Sequence, residues 1–242
     1  MTIDGNSVIR NAAEGVLNTS AVPDMAVDGL SFVGGANAFI LSFASTSVAM
    51  HVDINHMKVT DGQSLGVYAT GNFQLTAANT TFARLNAPAI MPSGSGTVSL
   101  DNVTLTDCRY AVMILGVTES AGLTAKMRNV TVSGGHYAAV TATAMSHDSF
   151  DFGTPLSPGN NAFHSTHATT DCEHANFTFT QPAEMIVPAV SNPWDASQQG
   201  ADNLGHYFAP SAPGVLLVSS ATGPNYCAAS GNAGSLMLAG SM

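Results

Sequence analysis

The chain has 242 residues, of which 45% are hydrophobic and only 9% are charged. Globular domains usually carry about 25% charged residues, so this composition is unusually neutral. With six cationic side chains and a formal net charge of −10, electrostatic binding of nucleic acid or of an anionic membrane is not expected. No run approaches about 20 apolar residues, so membrane insertion is not expected either.

The amino-acid composition indicates where the protein functions. Ser, Thr, Asn and Gly replace the usual Lys and Glu, a composition common in extracellular bacterial β-proteins. An extracellular or cell-surface location is therefore expected, although the start MTIDGNSVIRN lacks the basic and apolar regions of a signal peptide. Cys108, Cys172 and Cys227 allow one disulfide with one thiol left over, and their spacing matches no zinc or CxxC motif.

A repeat of 23 to 27 residues begins near the start of the chain. Its anchors, spaced 24, 27, 23, 23 and 27 residues apart, are Gly5, Gly29, His56, Asn79, Asn102 and Asn129. Apolar residues stand two positions before, three after and eleven after every anchor. The three sets are Ile3, Val27, Ile54, Ala77, Leu100, Met127; Val8, Phe32, Val59, Phe82, Leu105, Val132; and Val16, Ile40, Val67, Ile90, Met113, Val140.

The alternation around each anchor predicts a corner between two strands. Apolar residues alternate with period two on both sides, which is typical of strands, but the parity flips across the anchor, as between Leu100 and Val103. Gly, Asn and His tolerate the positive φ that such a bend requires. Each coil is therefore predicted to run strand, bend, strand, turn and third strand, with stacked anchors sharing side-chain hydrogen bonds. Coils of this kind build a parallel β-solenoid.

The repeat, with asparagines at Asn79, Asn102 and Asn129, resembles the pectin-lyase-like superfamily of right-handed parallel β-helix proteins. Segments 150–163 (FDFGTPLSPGNNAF) and 187–207 are similar to the closing region of its secreted bacterial members. We expect β-helix repeats over 1–149 and irregular final coils with a loop insertion over 150–181. An extended Pro/Gly-rich segment over 182–242 would cover or cap the solenoid. The superfamily includes lyases, hydrolases, adhesins and structural fibres, so the fold does not set the function.

Polar side chains gather between residues 147 and 174, outside the regular repeat. The candidates for catalysis are His147, Asp148 and Asp151. The candidates for a transition-metal site, on the basis of their imidazole and thiolate ligands, are His164, His167, Cys172 and His174. A long loop also collects such residues simply because it lies outside the stack. The calcium-binding carboxylates of the superfamily's lyases and the clustered aspartates of its hydrolases do not recur here, so we favour a protein that is not an enzyme and needs no cofactor.

The third strand of the repeat is predicted to be apolar on both faces. If the eleventh position after the anchor points inward, the tenth and twelfth point outward. An exposed apolar row is an interface or needs a cover; this packing stripe comprises Leu17, Phe39, Leu41, Tyr68, Met91, Val112 and Ile114. Either the C-terminal segment or another subunit would cover it. The first coil, which starts at Ile3, is expected to leave an open strand edge.

These features favour an extracellular structural β-solenoid that self-associates into a homo-oligomer, a fibre or a surface layer, with an adhesive role left open. One alternative is a carbohydrate-active enzyme of the lyase or hydrolase kind that uses the region from His147 to His174. Another is a glycan- or ice-binding module that uses outward hydroxyls such as those of Thr81, Thr104 and Thr131. A glycan is therefore the second candidate partner.

Overall fold

The computed structural model describes residues 2–3, 5, 7–19, 24–42, 49–115, 122–134, 140–143, 148–164, 177–180, 185–188, 215–218 and 237–238. Within these ranges the chain forms strands, turns and bends, and no helix. No described segment is a helix long and apolar enough to cross a membrane. Strands from successive coils pair in parallel to build a β-solenoid, which confirms the predicted fold class.

Three columns of parallel strands, joined in one 17-stranded sheet, form the solenoid. The first column contains β1 (Thr2–Ile3), β4 (Asp24–Asp28), β7 (Met50–Asn55), β12 (Leu123–Arg128) and β15 (Ser149–Asp151). The second contains β2 (Val8–Arg10), β5 (Ser31–Val33), β8 (Lys58–Thr60), β13 (Thr131–Ser133) and β16 (Ala162–His164). The third contains β3 (Glu14–Thr19), β6 (Asn37–Ser42), β11 (Tyr110–Leu115), β14 (Val140–Thr143) and β17 (Phe177–Thr180).

Two long strands, β9 (Val67–Ala83) and β10 (Pro88–Thr106), pass through all three columns and pair with each other along most of their length. They run from the third column into the first column of the next coil without an intervening loop. Glycines make this passage possible, because Gly71 and Gly94 have φ values of 95° and 144°. A Cβ on Gly94 would overlap the carbonyl oxygen of Gly71, and one on Gly96 would overlap that of Phe73.

The inward side chains of the three columns form one apolar core. In the first column the alternation is strict: Val52 and Ile54 are buried, whereas His51 and Asp53 between them are exposed. Burial of one side chain of this size stabilises the fold by about 1.5–3 kcal/mol, and the same inward position recurs in each described coil. The core therefore explains the repeat of apolar residues that the sequence shows.

The first coil departs from the predicted register in its second strand. Val8 pairs with Ser31 and Ile9 pairs with Phe32. Ile9 packs against the core, while Val8 is 51% exposed, so the prediction that Val8 points inward is wrong. This coil has one residue more between Gly5 and its second strand than the next coil has, and a one-residue shift exchanges the two faces of a strand.

The third column also corrects the predicted register. Phe39 pairs with Val67, and Val112 pairs with Ile90, so in these two coils the aligned position comes ten residues after the anchor instead of eleven. Val112 and Ile114 are fully buried in the core, and the prediction that they belong to an outward packing stripe is wrong. The turn before the third strand is one residue shorter in these coils, and this shift places Val112 and Ile114 on the inward face.

The final coils continue the columns and are followed by a small separate sheet. Strands β15, β16 and β17 pair with β12, β13 and β14, so the three columns persist through the region expected to be irregular. Beyond them, β18 (Met185–Pro188), β19 (Val215–Val218) and β20 (Met237–Leu238) form an antiparallel sheet. Strand β18 lies against β15. The rest of 182–242 lies outside the described residues, so its covering or capping role stays a prediction.

Candidate functional site

The corner between the first and second columns carries a row of polar bends. All the anchors adopt positive φ, between 49° and 98°: Gly5, Gly29, His56, Asn79, Asn102 and Asn129. The bend also pairs with the next coil through the main chain, since the N–H of Gly29 donates to the carbonyl of Asn55 at 3.1 Å. Residue types that tolerate left-handed backbone are therefore needed at each of these corners.

Side-chain amides link successive bends on the outside of this corner. Asn102 Nδ2 donates to Asn79 Oδ1 at 2.7 Å, and Asn79 Nδ2 donates to Asn55 Oδ1 at 2.9 Å. In the coil of His56 the acceptor is therefore Asn55, the residue before the bend, and not the bend residue itself. These hydrogen bonds lie on the exposed surface of the solenoid.

The other two polar bends use an aspartate one residue before the bend of the preceding coil. His56 Nδ1 lies 2.8 Å from Asp28 Oδ1, and both side chains are more than half exposed, at 61% and 57%. Asn129 Nδ2 donates to Asp101 Oδ1 at 2.8 Å. The aspartates that the sequence places beside the anchors thus serve as hydrogen-bond acceptors for the next coil.

A second row of bends, which the sequence analysis missed, lies between the second and third columns. Its members all have positive φ: Asn11, Gly34, Asp61, Arg84, Asp107 and Gly134. Arg84 donates through Nε and Nη2 to the two carboxylate oxygens of Asp61 at 2.6 and 2.9 Å. This pairing with Arg84 lowers the pKa of Asp61. Gly, Asn or Asp stands five or six residues after every anchor except Asn79, and this recurrence was the signal in the sequence.

The two described catalytic candidates bind to main-chain and guanidinium groups of neighbouring coils. Asp148 is buried, and its Oδ1 accepts the N–H of Leu123 at 2.8 Å. Asp151 accepts two hydrogen bonds from Arg128 Nη2, at 2.9 and 2.7 Å, and one from the N–H of Gly153 at 2.9 Å. These contacts fix the start of the last described coil on the coil before it.

An excursion over residues 152–161 replaces the one-residue bend in this last coil. Buried Asn161 holds it in place: its Oδ1 accepts the N–H of Val130 at 2.9 Å, and its Nδ2 donates to the carbonyls of Met127 and Phe152 at 3.1 and 3.0 Å. A buried amide with both its ends bonded is strongly orienting. The excursion is therefore anchored to the solenoid by hydrogen bonds.

The described residues do not include the side chains of the proposed metal ligands. His147, His167, Cys172 and His174 lie outside the described residues, and of His164 the structure describes the backbone in β16. Within the described ranges no group of three or more His, Cys, Asp or Glu side chains is placed to hold a metal ion. Cys108 is buried, and burial raises the pKa of its thiol to about 11, which suppresses the reactive thiolate.

The outward face of the third column carries partly exposed apolar side chains. Tyr68 pairs with Met91, and both are partly exposed, as is Met113. Met113 takes the place that the sequence analysis gave to Ile114. The side chains of Leu17, Phe39 and Leu41 lie outside the described part, so the predicted stripe is described at Tyr68, Met91 and Met113.

The first coil presents main-chain groups toward a further strand. In the next three coils the residue aligned with Val8 donates its N–H to the coil before it: Ser31 to Ser7, Lys58 to Leu30 and Thr81 to Met57, each at 2.9 Å. Within the described chain β2 pairs with β5 alone. Because bonded residues alternate along a parallel strand, the N–H groups of Val8 and Arg10 point toward the open edge.

Comparisons of the chain with protein-family models, with curated proteins and with solved structures find no match.

Proposed function

We propose that this chain is a structural β-solenoid whose copies stack end to end into a fibre or surface layer. The observation that carries the proposal is that, within the described residues, one edge of β2 stays unpaired although its main chain has the hydrogen-bonding pattern of an internal coil. Unpaired strand edges are templates for pairing with another chain unless they are blunted or covered. A solenoid adds coils by nearest-neighbour contacts, so another copy can supply the next one.

In the second column the two ends of the described solenoid match in register. In the first column β18 lies against β15, so the copies would meet through the second column. Through the successive pairings, Ile9 belongs to the same inward position as Phe32 and Val132, and Val132 pairs with Phe163 of β16. A second copy stacked on β16 would therefore align the backbone of its Ile9 with that of Phe163. In this arrangement the N–H of Arg10 would reach the carbonyl of Phe163, as the equivalent groups do inside the solenoid.

The third column offers a lateral contact between such stacks. Tyr68, Met91 and Met113 form a short apolar row along the solenoid axis. Each copy added to a stack would contribute another such row, so the apolar area available for contact between stacks would grow with the length of the fibre. Side-by-side packing through this row would join fibres into a layer.

The contacts of Asp148 and Asp151 favour a structural over a catalytic role. One carboxylate binds a main-chain N–H and the other binds a guanidinium of the same chain. The proposal extends to an extracellular or cell-surface location and to kinship with the pectin-lyase-like superfamily. Its support is the low charge of 9% and the asparagine pairs at the first corner.

Sedimentation velocity over a range of concentrations tests the stacking. The wild-type chain should form larger species as concentration rises. Arg10→Pro should stay monomeric because it removes the N–H that points toward the open edge, while the pairing of β2 with β5 is kept. Arg10→Gln is the matched control, since it removes the same charge and keeps the N–H, and it should assemble. Assembly of Arg10→Pro like the wild type would refute strand pairing at this edge.

A further inference from the structure

Two exposed apolar side chains lie at opposite ends of the described solenoid. Among the described residues the large hydrophobic side chains that are exposed are Val8, at 51%, and Leu156, at 99%. Val8 lies in β2 of the first coil, and Leu156 lies in the excursion between β15 and β16 of the last described coil. Both therefore lie at the corner between the first and second columns, one at each end.

The turn that carries Leu156 is held firmly. Thr154 and Ser157 exchange two main-chain hydrogen bonds, at 2.9 and 3.1 Å, which leave Pro155 and Leu156 at the tip of a tight turn. Arg128 Nε donates to Ser157 Oγ at 2.9 Å, and the side chain of Arg128 is only 10% exposed. A tip fixed in this way presents its leucine without a large loss of conformational entropy on binding.

We propose that Leu156 of one copy packs on Val8 of the next copy and so sets the polarity of the stack. This inference rests on the proposed function. The pairings align Val8 with Ser31, and the same outward position ends at Ala162, which directly follows the excursion. A further coil placed on β16 therefore brings its Val8 to the corner from which the Leu156 turn projects.

A second copy fits this corner better than an unrelated apolar ligand does. The stacking that would bring Val8 and Leu156 together would also align the unpaired edge of β2 with β16. The contact is heterologous, because each copy uses a different patch at each end, and heterologous contacts that do not close produce filaments. Loss of the leucine should raise the concentration needed for assembly by about 10- to 100-fold, the factor expected from one buried leucine side chain.

Disulfide trapping tests the contact directly. Val8→Cys and Leu156→Cys single variants are mixed under mild oxidation, and the cross-linked peptides are identified by mass spectrometry. A disulfide between residues 8 and 156 of different copies is expected. Leu156→Cys mixed with Thr97→Cys is the matched control, because Thr97 is exposed in the middle of the solenoid, and this pair should stay unlinked.

The outcomes separate this contact from self-association itself. Assembly of the mixture without the 8–156 disulfide, or with equal trapping at residue 97, would overturn the corner contact and leave end-to-end stacking intact. A wild-type chain that stays monomeric at every concentration would overturn both. Leu156→Asp supplies the second measurement: its circular dichroism should match the wild type because the side chain is exposed, and its assembly should be weakened at least as much as by loss of the leucine.

Discussion

Replacing Asn161 by alanine should loosen the last described coil and leave the central coils folded. The side chain of Asn161 is fully buried and bonds to the N–H of Val130 and to the carbonyls of Met127 and Phe152. The carbonyl of Met127 also accepts from Arg128 Nη1 at 2.8 Å, so it keeps a partner. The substitution therefore removes the amide's bonds to two other main-chain groups.

The expected cost follows from these lost bonds. A buried polar group left without its partner costs about 1–3 kcal/mol, so the loss of the bonds to two such groups in Asn161→Ala should lower the free energy of unfolding by about 2–6 kcal/mol. Asn86→Ala is the matched control: the amide of Asn86 donates to Gln63 Oε1 at 3.0 Å on the exposed surface. Its loss should cost less than about 1 kcal/mol, because water replaces an exposed partner.

Solenoids can unfold coil by coil, so a local measurement is needed beside a global one. Guanidinium unfolding followed by far-ultraviolet circular dichroism measures the total stability, and hydrogen exchange by NMR measures the opening at the Val130 amide. Exchange at Val130 should accelerate at least tenfold in Asn161→Ala and stay unchanged in Asn86→Ala. Equal exchange at Val130 in both variants would refute the role assigned to the buried amide.

Three further predictions concern other parts of the solenoid. Gly96→Ala should lower the melting temperature strongly, because its Cβ would overlap the main chain of the neighbouring coil at φ 123°. Gly62→Ala should lower it little. Calorimetry compares the two variants, and equal melting temperatures would count against the close contact between coils. Cys108, with its pKa of about 11, should resist iodoacetamide at pH 8 until the chain is unfolded, as peptide mapping would show; rapid native labelling would contradict its burial. NMR titration should place the pKa of Asp61 below its ordinary 3.8, and in Arg84→Met this pKa should move back toward 3.8. Because the pKa is lowered in the folded state, the stability that the ionised carboxylate contributes is present above the unfolded-state pKa and is lost as pH falls.

The sequence predicts most of the fold because the first column and its corner repeat strictly. The anchors need positive φ, so the residue types that tolerate it mark the corners, and apolar residues two positions before them mark the core. Ile54 and Leu100 are buried as this pattern indicates. Local conformational preference and burial here favour the same structure, which is why the spacing could be read directly.

The third column could not be predicted to the residue. The turn that precedes it gains or loses one residue between coils, and apolar residues stand on both sides of the inward position, so the pattern fits either register. Val112 and Met113 illustrate this ambiguity: both are apolar, and the pairing with Ile90 decides which one points inward. Such a choice depends on contacts between coils, which are absent from the local sequence.

The last coil was hidden for a different reason. Arg128 and Asp151 lie 23 residues apart, and Asn161 bonds to Met127 across 34 residues. Residues that look like a polar catalytic or metal-binding cluster in the sequence include carboxylates that fix this coil through long-range hydrogen bonds. Only the stacking of the coils brings those partners together.

Negative-stain electron microscopy of the full chain over a range of concentrations measures end-to-end stacking most directly. If the copies stack through β2 and β16, rod length should increase with concentration in steps of one molecule, and the rods should keep a constant width. Rods of a single molecule's length at every concentration would contradict the stacking.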